Sequence, residues 1–580
     1  MMKTSSPHRV FAGNTTFKVF TLVSVFAVLT YLSGSIIGFS KTPVDNLQDY
    51  PQCPNVERYR PQSYSNETFQ ETLKKIISDE SFRNQSASKM TGAVQHDTSS
   101  YDSFPLDVSG NLELFQNIAK FQVYLQDTFP HFHEELTLEK VNHFGLIYTW
   151  EGTDTSLKPL LLMAHQDVVP INKDSLSQWV HDPFSGDYDG KYLYGRGSGD
   201  CKNLLIGHME AVEELIKIGF KPTRTVIFSY GFDEEISGLR NHNGKYLEEK
   251  LGPKSLYAVM DEGGVSMVDI DETTLAVVGT GEKGYLDVSI SIQKKGGHSS
   301  LPQEHTAIGI MGSLIVQVEN DHFPTYFTDH NPTFYQYVCL AEHAVDIDET
   351  LRKNILESQF DEDANAAVRE FIDKSILTGY AIKTTQALDV INGGVKVNAL
   401  PEYVELIINS RVSVDESVPT VFDKFVRDAE IIAHRYNLGL SVQYPYSNNS
   451  EEIVILPPTD VGVLYIKPDT VLEPSPVTPV NDKHWEVFAG TIRHVYEEIA
   501  YPDEYSKEDM VVVTPGLGTG NTDTKLYWNL TDHIYRYRPG VLPSVNANSH
   551  GINEYIEFDS HLQIIAFIFE YIQSVDQVDD

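Results

Sequence analysis

Three stretches of the chain share one ending. LLLMAH (160–165) runs into QD, TVIFSYGF (225–232) into DEE, and YAVM (257–260) into DEGG. A strand that is apolar along its whole length is buried on both faces, which places it in a mostly parallel sheet flanked by helices. In such sheets ligands bind beyond the carboxyl ends of the strands. The polar endings therefore mark a site before any motif is considered. KNLLIGHMEAVEELIKIGF (202–220), with Leu204, His208, Val212 and Leu215 or Ile216 at helical spacing, is the kind of helix that covers such a sheet. MVVVTPGLG (510–518) returns to the strand pattern late in the chain. The fold class is α/β.

At 580 residues the chain needs at least two domains. Its 82 acidic residues against 44 basic ones, a net charge of −38, exclude nucleic acid as a partner, because phosphate binding needs the opposite sign. Cys53, Cys201 and Cys339 are too few and too scattered for a disulfide framework or a cysteine zinc site. Any metal must then be held by His, Asp and Glu.

Residues 19–40 carry no charge, a run that matches the ~20 residues of a membrane-spanning helix. Arg9 and Lys18 precede it, so residues 1–18 read as a cytosolic tail and the body faces a lumen. Sequons at Asn66, Asn84, Asn448 and Asn529 suit a glycosylated luminal protein. Residues 41–104, rich in Pro, Ser, Asn, Gln and Asp, read as a luminal stalk with a short helix in FQETLKKIISDESF.

His165, Asp200 in GRGSGDCK, Glu235 in FDEE, Glu262 in MDEGG and His550 in NSHGINE are candidate zinc ligands. Imidazole nitrogen and carboxylate oxygen both suit zinc, at ~2.0–2.2 Å. Two histidines and three carboxylates are too many for one tetrahedral site. They fit two ions about 3.5–4 Å apart that share a carboxylate, as in hydrolytic two-metal centres. The glycines around Asp200 allow close approach of the backbone.

HQDVVP, WVHDPFSG, GRGSGDCK, FDEE, DEGG, GGHSSLP, VNALP and SHGINE, in this order, resemble the di-zinc amidohydrolases, the family of aminoacylase, carnosinase and bacterial glutamate carboxypeptidase. The resemblance covers residues 105–575. It implies a catalytic domain with a mixed, mostly parallel sheet in two parts (105–284 and 476–580) and an inserted α+β lid and dimerisation domain (285–475). Residues 322–383 look like an insertion into that lid and have no functional reading.

The resemblance also implies roles. His165 would bind one zinc, Asp200 would bridge both, and Glu262 would complete the first site, with Asp261 the adjacent alternative. Glu235 and His550 would complete the second. Asp167 would bond the other ring nitrogen of His165 and fix its tautomer, and Glu234 would be the general base acting on a metal-activated water. His298 would reach an active site across a dimer interface and stabilise the tetrahedral oxyanion. Asn398 and Arg411 would bind substrate, Arg411 by clamping a carboxylate. Gly518, Thr519 and Gly520 would cradle the substrate's terminal carboxylate with backbone groups. Cys201 reads as a reduced core thiol, and HFHEE (131–135) lies outside every motif.

Together these imply a homodimeric luminal metallocarboxypeptidase with two zinc ions per subunit. It would act on peptides with a free C-terminal carboxylate and be anchored by one helix in the membrane of a vacuole, a lysosome-like compartment. Hydrolysis of N-acyl amino acids by the same machinery is the nearer alternative. A receptor-like protein that has lost its metals is the remote one, and it predicts missing ligands where all five, and the base, are present.

Overall fold

The computed structural model describes residues 51–580 apart from 265, 271–272, 448–450, 506–509 and 542–546. The expected tail (1–18), the expected anchor (19–40) and Asn448 lie outside the described residues. Among the described residues no helix is long and apolar enough to cross a membrane.

The first half of the chain supplies strands β1 (Thr137–Val141), β2 (Gly145–Trp150), β3 (Leu160–His165), β4 (Tyr192–Tyr194), β5 (Val226–Gly231), β6 (Ala258–Asp261), β7 (Ser266–Ile270) and β8 (Thr273–Glu282). The insert supplies β9 (Gly284–Lys294), β10 (Gly297–His298), β11 (Ala387–Gly393), β12 (Ala399–Leu400), β13 (Tyr403–Val412), β14 (Gly439–Gln443), β15 (Glu452–Leu456) and β16 (Gly462–Leu472). The last part of the chain adds β17 (Val512–Gly518), β18 (Ile534–Arg536) and β19 (Tyr555–Glu557).

The main sheet runs β1-β2-β5-β3-β6-β18-β8-β17, with β7 against β8. Its centre is parallel, β5 to β3 to β6 to β18, and every one of these strands is wholly buried. Toward the edges β1, β2 and β8 pair antiparallel with their inner neighbours. The sheet is mixed, and parallel where the apolar runs required it.

Helices α1 (Glu67–Ser78), α2 (Glu80–Val94), α3 (Gln116–Thr128) and α4 (Lys202–Lys217) contribute to one large core on this sheet. On the opposite side α5 (Asn243–Leu251) places Leu247 with Leu161, Val259 and Tyr527.

The stalk reading fails from Cys53 onward, where the chain is already bonded to the body through Cys53, Pro54 and Tyr59. Asn66 and Asp79 cap α1 and α2 by accepting the Thr68 and Phe82 amides. Leu73, Ile76, Phe82, Met90 and Val94 are buried in the main core. A polar average concealed a narrow apolar stripe at helical spacing, which is all that a helix lying on a surface needs. The cysteine reading excluded a disulfide framework but foresaw no single bridge. Cys53 and Cys339 form a disulfide across 286 residues of sequence, while Cys201 is free and buried. Nothing local marks a pairing of that span.

The insert forms a second sheet, β11-β13-β9-β16-β14-β15, covered by α6 (Ala307–Asn320) and by a long helix over Val418–Tyr436. Ile310, Met311 and Leu314 meet Val421, Phe425 and Ile432 in its core. The segment expected to be a lid insertion goes elsewhere. α7 (Pro332–His343) and the helices over 349–357 and 362–373 bury Phe334, Val338, Leu340, Ile355 and Val368 against Leu275, Val277 and Val512. These are residues of β8 and β17, so the segment packs on the catalytic sheet.

Candidate active site

The parallel strands end side by side. His165 is the last residue of β3, Glu234 and Glu235 follow β5, and Glu262 follows β6. Asp200 sits just before α4, at the end of a turn through GRGSGD. Gly197 has φ +82° there, and a Cβ on it would lie 2.6 Å from Val168 Cγ1, so only glycine fits. His550 comes from the loop after β18, with φ +60°.

These side chains converge on Asp200. Its Oδ1 lies 3.3 Å from His165 Nε2 and its Oδ2 3.4 Å from His550 Nε2. Glu262 Oε1 is 3.0 Å from the same His165 nitrogen, and Glu235 Oε2 is 3.1 Å from that of His550. Two groups of metal-ligating atoms result, one around His165 and one around His550, each spanning no more than 4.8 Å and both containing Asp200. Hydrogen bonds to Asp200 and Glu235 push the His550 imidazole up to about 10, while burial pushes Glu235 up to about 7. Glu235 Oε1 is buried with no hydrogen-bond partner. Crowded carboxylates that drive a proton onto an imidazole, beside an orphaned carboxylate oxygen, form a donor set that fits two divalent cations.

Glu262 reaches the cluster and Asp261 does not. Asp261 Oδ1 accepts the Glu262 amide at 2.8 Å, and the residue belongs to neither ligand group. Glu234 stands beside the cluster without joining it. Burial, opposed by His165 and reinforced by Glu262, holds its carboxyl well above the usual range. Burial likewise pushes the Cys201 thiol well up, as suits an inert core residue.

Asp167 does more than orient an imidazole. His165 Nδ1 donates to the Asp167 backbone carbonyl at 2.9 Å, and the carboxylate stands 3.4 Å away. The carboxylate accepts the Ser100 hydroxyl at 2.7 Å and the amides of Glu234 and Glu235, each at 3.2 Å. One buried side chain thus fixes the segment carrying both the candidate base and a candidate ligand.

Sequence reasoning missed several supporting residues. Glu554 accepts the Gly199 and Asp200 amides at 3.0 and 3.3 Å and is held by Arg196 at 2.5 Å. Arg538 donates to the Gly199 carbonyl at 2.6 Å and lies 3.5 Å from Glu262 Oε2. Glu554 was visible only as the last letter of SHGINE. Ser100 and Arg538 carry no local signal at all.

The expected substrate residues fall into two groups. Arg411 is half-buried, stacks on Tyr285 at 4.6 Å and donates to Asn521 at 2.9 Å, which joins it to the loop of Gly518, Thr519 and Gly520. His298 is on the small β10–β12 ribbon and Asn398 immediately precedes β12, where the Ser299 amide donates to the Asn398 carbonyl at 3.2 Å. Both are exposed, and neither is part of the ligand groups of its own chain. Asn66, Asn84 and Asn529 are exposed.

The family model for Peptidase family M20/M25/M40 matches residues 161–574. Carboxypeptidase S of Saccharomyces cerevisiae is 40% identical over 533 residues, 91% of this chain and 89% of that protein. The N-fatty-acyl-amino acid synthase/hydrolase of Mus musculus is 28% identical over 467 residues, 79% of this chain and 83% of its own. Among solved structures, an M20 family metallo-carboxypeptidase from Sulfolobus solfataricus superposes with a TM-score of 0.55 at 16% identity, covering 85% of this chain and 99% of that one. Human carnosine dipeptidase 1 gives 0.54 at 14%, covering 89% and 100%. At such identities the structural likeness speaks for the fold alone, whereas the sequence matches carry the assignment: this chain belongs to peptidase family M20/M25/M40.

Proposed function

We propose that the protein is a di-zinc carboxypeptidase that removes the C-terminal residue of short peptides. The observation that carries this reading is the placement of Asp200, whose two oxygens face His165 and His550 in two ligand groups beside a buried Glu234. His165 and Glu262 would hold one ion, Glu235 and His550 the other, and Asp200 both. When bound, the ions would acidify a water and polarise the scissile carbonyl. Glu234, its carboxylate form favoured once cations offset the neighbouring acids, takes the proton from the water and returns it to the leaving amine. Asp167 holds Glu234 in register through the backbone. Arg411 and the 518–520 loop receive the substrate's terminal carboxylate, which restricts cleavage to the last bond.

The higher identity to carboxypeptidase S, 40% against 28% for the N-fatty-acyl-amino acid synthase/hydrolase, supports a peptide over an N-acyl amino acid as the substrate of this chain. A second copy completes the picture. β11 is the edge strand of the lid sheet, and Val390, Ile391, Val395 and Val397 on and after it are exposed, an apolar edge suited to pairing with its equivalent. Such a dimer would offer His298 to the neighbouring site. The disulfide and the exposed sequons support an oxidising lumen, which we place in a vacuole, and the uncharged run 19–40 supports a single membrane anchor.

The test is the ratio of kcat/KM for a blocked dipeptide to that for a long-chain N-acyl amino acid, with Glu234→Ala as control. The dipeptide should be preferred, and Glu234→Ala should keep its metal while losing at least ~10²-fold in turnover. Preference for the acyl amino acid would move the assignment to the other branch. Near-normal turnover in the variant would place the base elsewhere.

A further inference from the structure

A second kind of metal-ligating cluster lies away from the catalytic centre, built by Asp482, His484 and His533. Its position follows from the sheet. β6 and β18 are parallel, with Val259 paired to Ile534 and Asp261 to Arg536. Glu262 leaves the carboxyl end of β6, whereas His533 enters the amino end of β18. The cluster therefore sits at the opposite end of these strands from the catalytic ligands.

Asp482 caps α8 (Lys483–His494), accepting the Trp485 amide at 3.1 Å, and His484 is in the first turn of that helix. His533 Nε2 donates to Asp482 Oδ2 at 2.7 Å. His484 Nδ1 is 3.9 Å from Asp482 Oδ1. The two imidazoles are stacked, with centroids 3.6 Å apart and planes 8° from parallel, so one ring must turn out of the stack before both can meet one ion; Tyr257 backs His484 at 4.3 Å. One ligating atom from each of the three residues falls within a 4.8 Å span, and all three side chains are half-buried and reach solvent. Arg224, stacked on the far side of Tyr257, is already committed to Asp580 and to the Val575 and Val578 carbonyls.

We propose that Asp482, His484 and His533 form a third metal site, for a transition-metal dication such as Zn²⁺ or Cu²⁺. Two imidazoles and one carboxylate select these ions over Ca²⁺ and Mg²⁺, which take oxygen. Three protein ligands facing water leave the remaining positions to solvent. The site joins the start of α8 to the entry of β18, two segments about fifty residues apart in sequence, so occupancy would brace the catalytic sheet from its far end. It takes no part in turnover.

The test uses metal-free protein titrated with Zn²⁺ alone and, separately, Cu²⁺ alone, by calorimetry and by metal analysis after dialysis. In an Asp200→Ala background, which disables the catalytic pair, one ion per chain should still bind, and adding His533→Ala or His484→Ala should weaken that binding at least ~10-fold. Copper bound in the Asp200→Ala protein should show imidazole nitrogen coupling in its paramagnetic resonance spectrum, lost with both histidines. In the otherwise unaltered protein, His533→Ala should lower the loaded metal count by one and leave turnover intact, which covers the case in which Asp200→Ala does not fold. Absence of binding in folded Asp200→Ala protein would overturn the proposal, as would binding that survives the double His484→Ala, His533→Ala change, or an unaltered metal count in His533→Ala.

Discussion

Ser100 gives the sharpest test of how the candidate base is held. Its hydroxyl donates to Asp167 at 2.7 Å in a buried setting, and the same carboxylate takes the Glu234 and Glu235 amides at 3.2 Å. A hydrogen bond to a charged group contributes about 1.5–3 kcal/mol. Ser100→Ala removes it and leaves Asp167 Oδ2 with the Glu235 amide. Where the loss falls wholly on the reacting geometry, kcat should drop about 10- to 150-fold at one decade per 1.36 kcal/mol. KM should stay within about twofold, because Ser100 lies beneath the site and would bind no substrate. Ser100→Thr restores the donor and should recover most of the rate. Hydrogen exchange in the metal-free protein supplies a readout without turnover, since the Glu234 and Glu235 amides should exchange faster in Ser100→Ala and not in Ser100→Thr. Turnover within about twofold of the parent in Ser100→Ala, with exchange at these amides unchanged, would refute the reasoning.

Asp200→Ala should carry two fewer zinc ions per chain than the parent, because one carboxylate serves both groups; metal analysis reads the difference directly. A second prediction concerns pH. Burial opposes a charge on His494, but hydrogen bonds to Glu498 at 2.7 Å and Glu570 at 3.0 Å outweigh it and raise the imidazole above its ordinary value. Its contribution to stability is then complete below about pH 6.5 and lost as pH rises through the raised value. The gap in melting temperature between parent and His494→Gln should be wider at pH 5 than at pH 8. Lastly, Glu234→Ala and His298→Ala chains, inactive alone, should recover about half of a normal dimer's activity in verified heterodimers, because a symmetric dimer then contains one intact site; no recovery would confine His298 to its own chain.

The parts of this protein that were legible in its sequence are those where chemistry restricts the residue type. A metal ligand must be one of a few side chains, so His165, Glu235 and Glu262 stood out as candidates beside apolar runs that could only be buried. Support is less restricted. Holding Asp167 needs any small donor, and Ser100, 67 residues upstream, is one serine among many. Holding the Asp200 turn needs any buried acceptor, and Glu554 arrives from 355 residues away. The same asymmetry explains the misread stalk. Residues 62–94 are polar on average, yet a stripe through Leu73, Ile76 and Phe82 is enough to dock them on the catalytic core. The chain then continues through Ser99, bridged to Val168, straight to Ser100. A stretch that looked like a tether is therefore the route by which the hydroxyl reaches Asp167. Removing it should cost the segment that carries Glu234 its position.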